Sequence, residues 1–376
     1  MPDVLTGARS LAEELASRGV TRRSFLAFCA GVTATLALPS VFSERVAEAL
    51  QSADKPSLIW LEFQDCAGNT ESFLRAHDPG VADLVLDILS VDYHETIMAA
   101  AGAQAEAAKA AALEAGGQIV VVEGSVPTAD GGVYCTIAGK TALQHLEEAA
   151  VGAAAIINVG TCASFGGIPA ASPNPTGALG VPDVIKNVPI INLPGCPMNV
   201  DNLVGTIAHY LTFGALPATD GQGRPLFAYG QRIHDNCERR AHFDAGQFAL
   251  EWGDEGHRKG WCLYKLGCKG PSTFHNCPSI QWNGGTSWPI GAGHGCVGCS
   301  EADFWDAMSP FYERLPKPPG FGVTTNADRI GLGVVAATAI GFGAHGVAKV
   351  IQHGVSNGRA EEADEGDQQD QEGSES

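Results

Sequence analysis

Ala154-Ala155-Ile156-Ile157-Asn158-Val159-Gly160-Thr161-Cys162-Ala163 decides the fold. A short apolar run stops at a glycine, and a cysteine stands just behind the turn. A run of this length bounded by a turn signal reads as a buried strand. The pattern recurs in both directions. Leu58-Ile59-Trp60-Leu61 precedes Cys66, and Pro189 to Leu193 precedes Cys196. Ile119 to Val122 is a further strand. Ala-rich helical stretches at 99–115 and 143–153 lie between them. Strand and helix in alternation imply an α/β fold, a parallel sheet covered by helices. Ligands of such sheets bind beyond the carboxyl ends of the strands. Cys66, Cys162 and Cys196 are therefore expected at one edge.

From about Gly221 strand signals weaken, while Gly, Cys, His and Trp become dense. Long irregular chain is uncommon in a compact domain. It becomes reasonable when a metal centre supplies the core. Three sets of soft ligands stand out. The first is Cys66, Cys162 and Cys196, each flanked by glycine within two residues. The second is His234-x-x-Cys237 with Cys262 and Cys268. The third is Cys277-Pro278 with Cys296-x-x-Cys299. Thiolates converging from separate loops suit iron–sulfur clusters. Zinc is the standard alternative for the second set, and disulfides are the alternative for an exported Cys-rich chain. The three sets use nine of the eleven cysteines and leave Cys29 and Cys135. The formal net charge of −19 argues against nucleic acid as a partner.

The ends read differently. Thr21-Arg22-Arg23-Ser24-Phe25-Leu26 opens an apolar stretch that runs to Val41, and Ala47-Glu48-Ala49 offers a small-x-small cleavage site. Residues 1–49 thus read as a twin-arginine export signal. That route carries proteins already folded, which suits a chain that gains its cofactors before export. Cys29 leaves with the signal. Near the other end, residues 330–348 carry no charge and lie between Arg329 and Lys349. They read as a membrane anchor helix over 326–351, with a buried soluble helix as the alternative. His345 inside it reads as a polar residue near the interface. Residues 352–376 form an acidic tail, expected to be disordered; the last sixteen hold eight acids and no base.

From about Ser57 to Trp305 the ordered motifs Gly-Thr-Cys-Ala, Pro-Gly-Cys-Pro, His-x-x-Cys, Asn-Cys-Pro and Gly-Cys-x-x-Cys-Ser-Glu resemble the small subunit of membrane-associated, uptake-type nickel–iron hydrogenases. The resemblance implies a flavodoxin-like domain at 50–220 with a proximal 4Fe–4S cluster on Cys66, Cys162 and Cys196. It implies an irregular domain at 221–320 with a distal 4Fe–4S cluster on His234, Cys237, Cys262 and Cys268, and a medial 3Fe–4S cluster on Cys277, Cys296 and Cys299. Pro289 stands where a fourth medial ligand would sit. In the family the proximal motif is usually Cys-x-x-Cys, whereas residue 69 here is Asn. An oxygen ligand from Asn69, Asp65 or Glu71 is the expectation, with an open iron site or a three-iron cluster as alternatives. Gly68 and Gly167 replace the extra cysteines of the oxygen-tolerant type, so its six-cysteine cluster is not available.

The resemblance also implies a nickel–iron large subunit that splits hydrogen. Electrons then pass from proximal to medial to distal cluster and on to a membrane cytochrome b or an iron–sulfur/quinone partner, at the outer face of the cell membrane. No catalytic side chain is expected on this chain. A hydrogen sensor, an iron–sulfur subunit of another respiratory complex and a structural zinc protein are the competing readings. His94, His145 and His209 read as structural residues in helical stretches. His275 and His294 adjoin medial ligands. Trp252, Trp261, Trp282, Trp288 and Trp305 are expected around the clusters or the large-subunit interface.

Overall fold

The four apolar runs of the N-terminal half and one further strand form one parallel sheet in the computed structural model, which describes residues 22–50, 55–77, 80, 89–315 and 332–352. The strands are β1 (Ser57–Glu62), β2 (Ser90–His94), β3 (Ile119–Glu123), β4 (Ala155–Val159) and β5 (Ile190–Leu193). Their order is β2-β1-β3-β4-β5, every neighbour parallel. This is the flavodoxin-like order. The strands read as continuous apolar runs because both faces are covered. Leu58, Trp60, Ile119, Val121, Ile157 and Val159 bury on one side. Ile59, Leu61, Val120, Val122 and Ile156 bury on the other.

Register places the site. Glu62 pairs with Glu123, Glu123 with Val159, and Val159 with Leu193. The carboxyl ends of four strands therefore form one row. Cys66 follows that row by four residues, and Cys162 and Cys196 by three. The longer helices of this part include α1 (Arg22–Thr35), α2 (Ser43–Leu50), α3 (Gly68–Leu74), α4 (Ala103–Ala115), α5 (Ala142–Ala150), α6 (Gly160–Phe165) and α7 (Val200–Phe213). α5 begins in a capping box, Thr141 with Gln144. α4 starts later than the Ala-rich run suggests, because Gly102 has φ +58° just ahead of it.

Strand β2 has no counterpart in the expected set, and it corrects the reading of His94. His94 ends β2 instead of lying on a helix. It is buried and stacks on Trp60 at 4.8 Å, so its structural role stands. Burial holds it down to about 4 against a partial counter-pull from Glu62. His145 is buried on α5, with its ring between Lys109 Nζ at 3.2 Å and the Ile137 carbonyl at 2.8 Å.

Residues 25–50, expected from the sequence to belong to an export signal, pack on this body. Phe28, Cys29, Val32 and Leu36 of the α1 segment and Val46, Ala47 and Leu50 of α2 join Leu203, Ile207 and Ala208 of α7 in one cluster. Phe42 meets Phe213 at 5.8 Å, and the Arg45 guanidinium lies 5.4 Å over the same ring. Each large side chain fully buried this way contributes roughly 1.5–3 kcal/mol. Were the chain cleaved after Ala49, α1 and α2 would first have to unpack, because proteolysis takes exposed chain. In the full-length chain Cys29 is thus expected to resist alkylation, and Ile207→Asp to raise its labelling rate at least tenfold. Peptide mapping of alkylated thiols reads this. Equal labelling in both proteins would show that this segment does not dock.

By packing, residues 1–240 and 248–322 form one unit, and residues 241–247 with 323–376 form a second. Within the second, Leu332–Gln352 is a 21-residue helix of mean hydropathy 1.6, long and apolar enough to cross a membrane. His345 lies on it. The first twenty-one residues, Arg329 and the acidic tail lie outside the described residues.

Candidate iron–sulfur sites

The first ligand set sits where the strand row ends. Cys66 and Cys196 are exposed and Cys162 is half-buried. The thiols face one another. Cys196 is pushed up to about 12, first by desolvation and then by Cys299, Cys162 and Cys66. Cys162 is pushed up to about 11 by burial, with Cys66 and Asp65 adding to it. Glycine is required beside them. A Cβ on Gly167, at φ +56°, would meet Cys162 Sγ at 2.5 Å, and one on Gly68 would meet Cys66 Sγ at 3.1 Å.

Of the three oxygen candidates, Asn69 is committed elsewhere. Its side-chain oxygen accepts from the Met198 amide at 2.8 Å, and its NH₂ donates to Glu123 at 3.2 Å. Glu71 is exposed and pairs with Arg75 at 3.3 Å. Asp65 stands in a group with Glu62 and Glu123, whose carboxylate oxygens lie within 4.8 Å of one another. Asp65 itself is exposed; its carboxyl is pushed up to about 7, mainly by partial desolvation and then by Glu123 and Glu62. Glu123 itself escaped the reading of the sequence. It is fully buried and caps α3.

The second set surrounds one small cavity of about 20 Å³. His234, Cys237, Cys262 and Cys268 all line it, together with Leu263, Pro271 and Ile290. Short 3₁₀ turns bring them in, at Ile233–Asn236, Leu263–Leu266 and Gly270–Ser272. The Arg239 amide donates to Cys237 Sγ at 3.4 Å. Burial pushes Cys237 up to about 11 and Cys262 up to about 12. Arg239 pulls both the other way.

The third set lines a larger cavity, of about 480 Å³. Cys277, Cys296 and Cys299 border it, with Cys196, Pro289, Trp282, Trp288, His275 and His294. The Gly298 amide donates to Cys296 Sγ at 3.3 Å. His275 Nδ1 lies 3.0 Å from Cys277 Sγ. Burial drives His275 down to about 3, so the ring is neutral. The Ser-Glu that ends the last motif has a structural reason. Glu301 accepts from Arg224 at 3.1 Å and from the Phe274 amide at 2.6 Å, which fixes the chain beside Cys277 and Cys299. Among the tryptophans, Trp252 is exposed and stacks on His294 at 5.7 Å.

All eleven cysteines are free thiols. Those of the three sets with a shifted pKa are pushed up by burial before anything else. Such thiols make poor nucleophiles at neutral pH. They suit a group that brings its own positive charge, as iron does.

The chain is 47% identical over 347 residues to the quinone-reactive Ni/Fe-hydrogenase small chain of Wolinella succinogenes, covering 90% of this chain and 98% of that protein. It is 52% identical over 310 residues to the periplasmic NiFe hydrogenase small subunit 1 of Nitratidesulfovibrio vulgaris, covering 82% and 98%. The chain belongs to the nickel–iron hydrogenase small subunits. Residues 229–312 match the C-terminal family of the NiFe/NiFeSe hydrogenase small subunit. Residues 66–210 match the family of the NADH ubiquinone oxidoreductase 20 Kd subunit. The structure is similar to the Ni-Fe-Se hydrogenase of Desulfomicrobium baculatum, with a TM-score of 0.66 at 35% identity over 70% of this chain and 100% of that one. It is also similar to the actinobacterial-type NiFe-hydrogenase of Ralstonia eutropha H16, with a TM-score of 0.65 at 27% identity over 76% and 91%. A hydrogenase small subunit pairs with a large subunit and transfers electrons through iron–sulfur clusters.

Proposed function

We propose that this hydrogenase small subunit holds two 4Fe–4S clusters and one 3Fe–4S cluster, and passes electrons through them in a line to a membrane acceptor. The observation that carries the reading is how the ligand sets are sorted. One cavity is bordered by His234, Cys237, Cys262 and Cys268 and a separate one by Cys277, Cys296 and Cys299. The two share Ile290 on their walls, and Cys196 of the first set opens onto the second cavity. Proximal, medial and distal groups are therefore neighbours in that order. An iron–sulfur cluster, once bound, supplies one-electron acceptance by thiolate-held iron.

The chain's own residues do the rest. Cys66, Cys162, Cys196 and Asp65 hold the proximal cluster, at the exposed edge where the large subunit docks. Cys277, Cys296 and Cys299 hold the medial one, and Pro289 on the cavity wall offers no fourth ligand. His234 gives the distal group one neutral ligand, which leaves it less negative than four thiolates do. Trp282, Trp288 and Ile290 keep water away from the medial group. Export by the twin-arginine route, anchoring by Leu332–Gln352 and delivery of electrons to a cytochrome b or iron–sulfur/quinone partner complete the reading. One relative named quinone-reactive supports the electron acceptor, and one named periplasmic supports the export.

Metal analysis with electron paramagnetic resonance on the purified complex tests this. About eleven iron atoms per chain are expected, four for each of two clusters and three for the third, with a three-iron signal in the oxidised protein. Zinc in place of iron, or the absence of the three-iron signal, overturns it.

A further inference from the structure

Lys269 lies at the seam between the distal and medial sets. It directly follows Cys268. Its amide donates to the Cys296 carbonyl at 2.7 Å, and the Cys296 amide donates to Cys268 Sγ at 3.3 Å. The two segments are pressed together, since a Cβ on Gly295 would meet the Cys268 backbone at 3.1 Å. Lys269 is 2% exposed. Its Nζ donates to the Pro310 carbonyl at 3.0 Å and to the Glu313 carbonyl. Among the described residues no carboxylate forms an ion pair with it. A buried ammonium held only by neutral dipoles is costly unless a counter-charge lies near. Burial pulls Lys269 below the usual lysine range, and negative charge on Cys268, then on Cys296 and Glu313, pulls it back, so the ammonium is held only when the thiols beside it carry charge, as cluster ligands do.

We propose that Lys269 is a positioning residue for electron transfer, its fixed ammonium favouring the reduced state of both the distal and the medial cluster. This rests on the ligand sets proposed above. Each reduction adds negative charge to a cluster, and a cation in a low-dielectric seam stabilises that charge. The distal cluster feels it more, because Cys268 adjoins Lys269 in the chain. Arg239 is the contrast. It is 8% exposed, donates to Cys237 Sγ through its amide and to the Trp261 carbonyl through its guanidinium, and acts on the distal set.

Redox titration of the complete hydrogenase, followed by electron paramagnetic resonance, tests the proposal. Lys269→Gln keeps a donor for the two carbonyls and removes the charge. Both medial and distal midpoints are expected to fall, the distal one further, with the proximal midpoint unchanged. Lys269→Arg keeps the charge and should hold both midpoints. Arg239→Gln should lower the distal midpoint alone. Unchanged midpoints in Lys269→Gln, with both cluster signals intact, overturn the role of Lys269. Shifted midpoints in Lys269→Arg do the same, since shape and not charge would then matter. Loss of the three-iron signal already in the wild type instead overturns the ligand sets, and this role with them.

Discussion

Asp65→Ala is expected to lower iron from about eleven to about ten per chain and to cut hydrogen oxidation by at least roughly 10–100-fold. Position 69 has no oxygen to spare for iron. Asn69 is 7% exposed, and both ends of its amide are already paired, to Met198 and Glu123. Freeing its oxygen for iron would strand the Met198 amide two residues after Cys196. Glu71 sits in an exposed i,i+4 pair with Arg75, and drawing it inward would expose nothing in return. Asp65 already accepts from backbone amides of its own loop, Ala67 among them, and a carboxylate has lone pairs left for iron. It adjoins Cys66, its charge reaches Cys162, and its own carboxyl is pushed up to about 7 by partial desolvation and by two neighbouring carboxylates. A cation at that spot relieves repulsion that is already present. Asp65→Cys should restore the fourth iron and move the proximal midpoint, because thiolate is a softer donor than carboxylate. Iron determination and electron paramagnetic resonance of the three proteins decide it. An unchanged four-iron proximal signal in Asp65→Ala would remove Asp65 from the site.

What the sequence disclosed was local. A cysteine a few residues beyond an apolar run is a short-range signal, and register then carries three such cysteines to one edge. The second and third sets were legible for the same reason, as His-x-x-Cys and Cys-x-x-Cys keep their ligands adjacent. Strand β2 was not, because Asp92 interrupts it. That carboxylate takes hydrogen bonds from Ser57 and Ser90 at the sheet edge, a pairing invisible before the edge exists. Lys269 carries a faint signal, a cation next to a candidate ligand cysteine, but its place between the second and third sets depends on Cys296 twenty-seven residues later. The docking of α1 and α2 on α7 was hidden by the twin arginines, which read as a leader whatever the leader then touches. Asn69 read as a candidate ligand because its partners lie far off in the chain.

Glu123 is the largest of these long-range surprises, and Glu123→Ala is expected to destabilise the subunit by roughly 3–5 kcal/mol. One carboxylate, 0% exposed, takes five hydrogen bonds. Oε1 accepts from the Asn69 amide at 2.8 Å and its side-chain NH₂ at 3.2 Å. Oε2 accepts from the Thr70 amide at 3.0 Å, its hydroxyl at 2.6 Å and the Trp60 indole at 3.3 Å. Two of these are the orphan amides at the start of α3, where a negative group is also favoured by the helix dipole. Burial pushes the Glu123 pKa above the usual range even so, with the donors pulling it back. Alanine would leave four buried donors unmet, each worth about 1–3 kcal/mol if fully stranded, while the Thr70 hydroxyl can turn to Glu62 Oε1 at 2.8 Å. They share one acceptor group, so the losses do not add. The effect reaches the metal site. Asn69, once released, no longer braces Met198 beside Cys196, nor fills the space against Gly160, where a Cβ would meet its amide at 2.6 Å. The loops of Cys66, Cys162 and Cys196 thereby lose their common tie. Glu123→Ala should lower the apparent melting midpoint by roughly 10 °C and deplete proximal iron, while the medial three-iron signal persists in the folded fraction. Glu123→Gln keeps one acceptor and should fall between the two. A variant that melts with the wild type and keeps its proximal iron would show that water meets these donors, and that the tie between the three loops lies elsewhere.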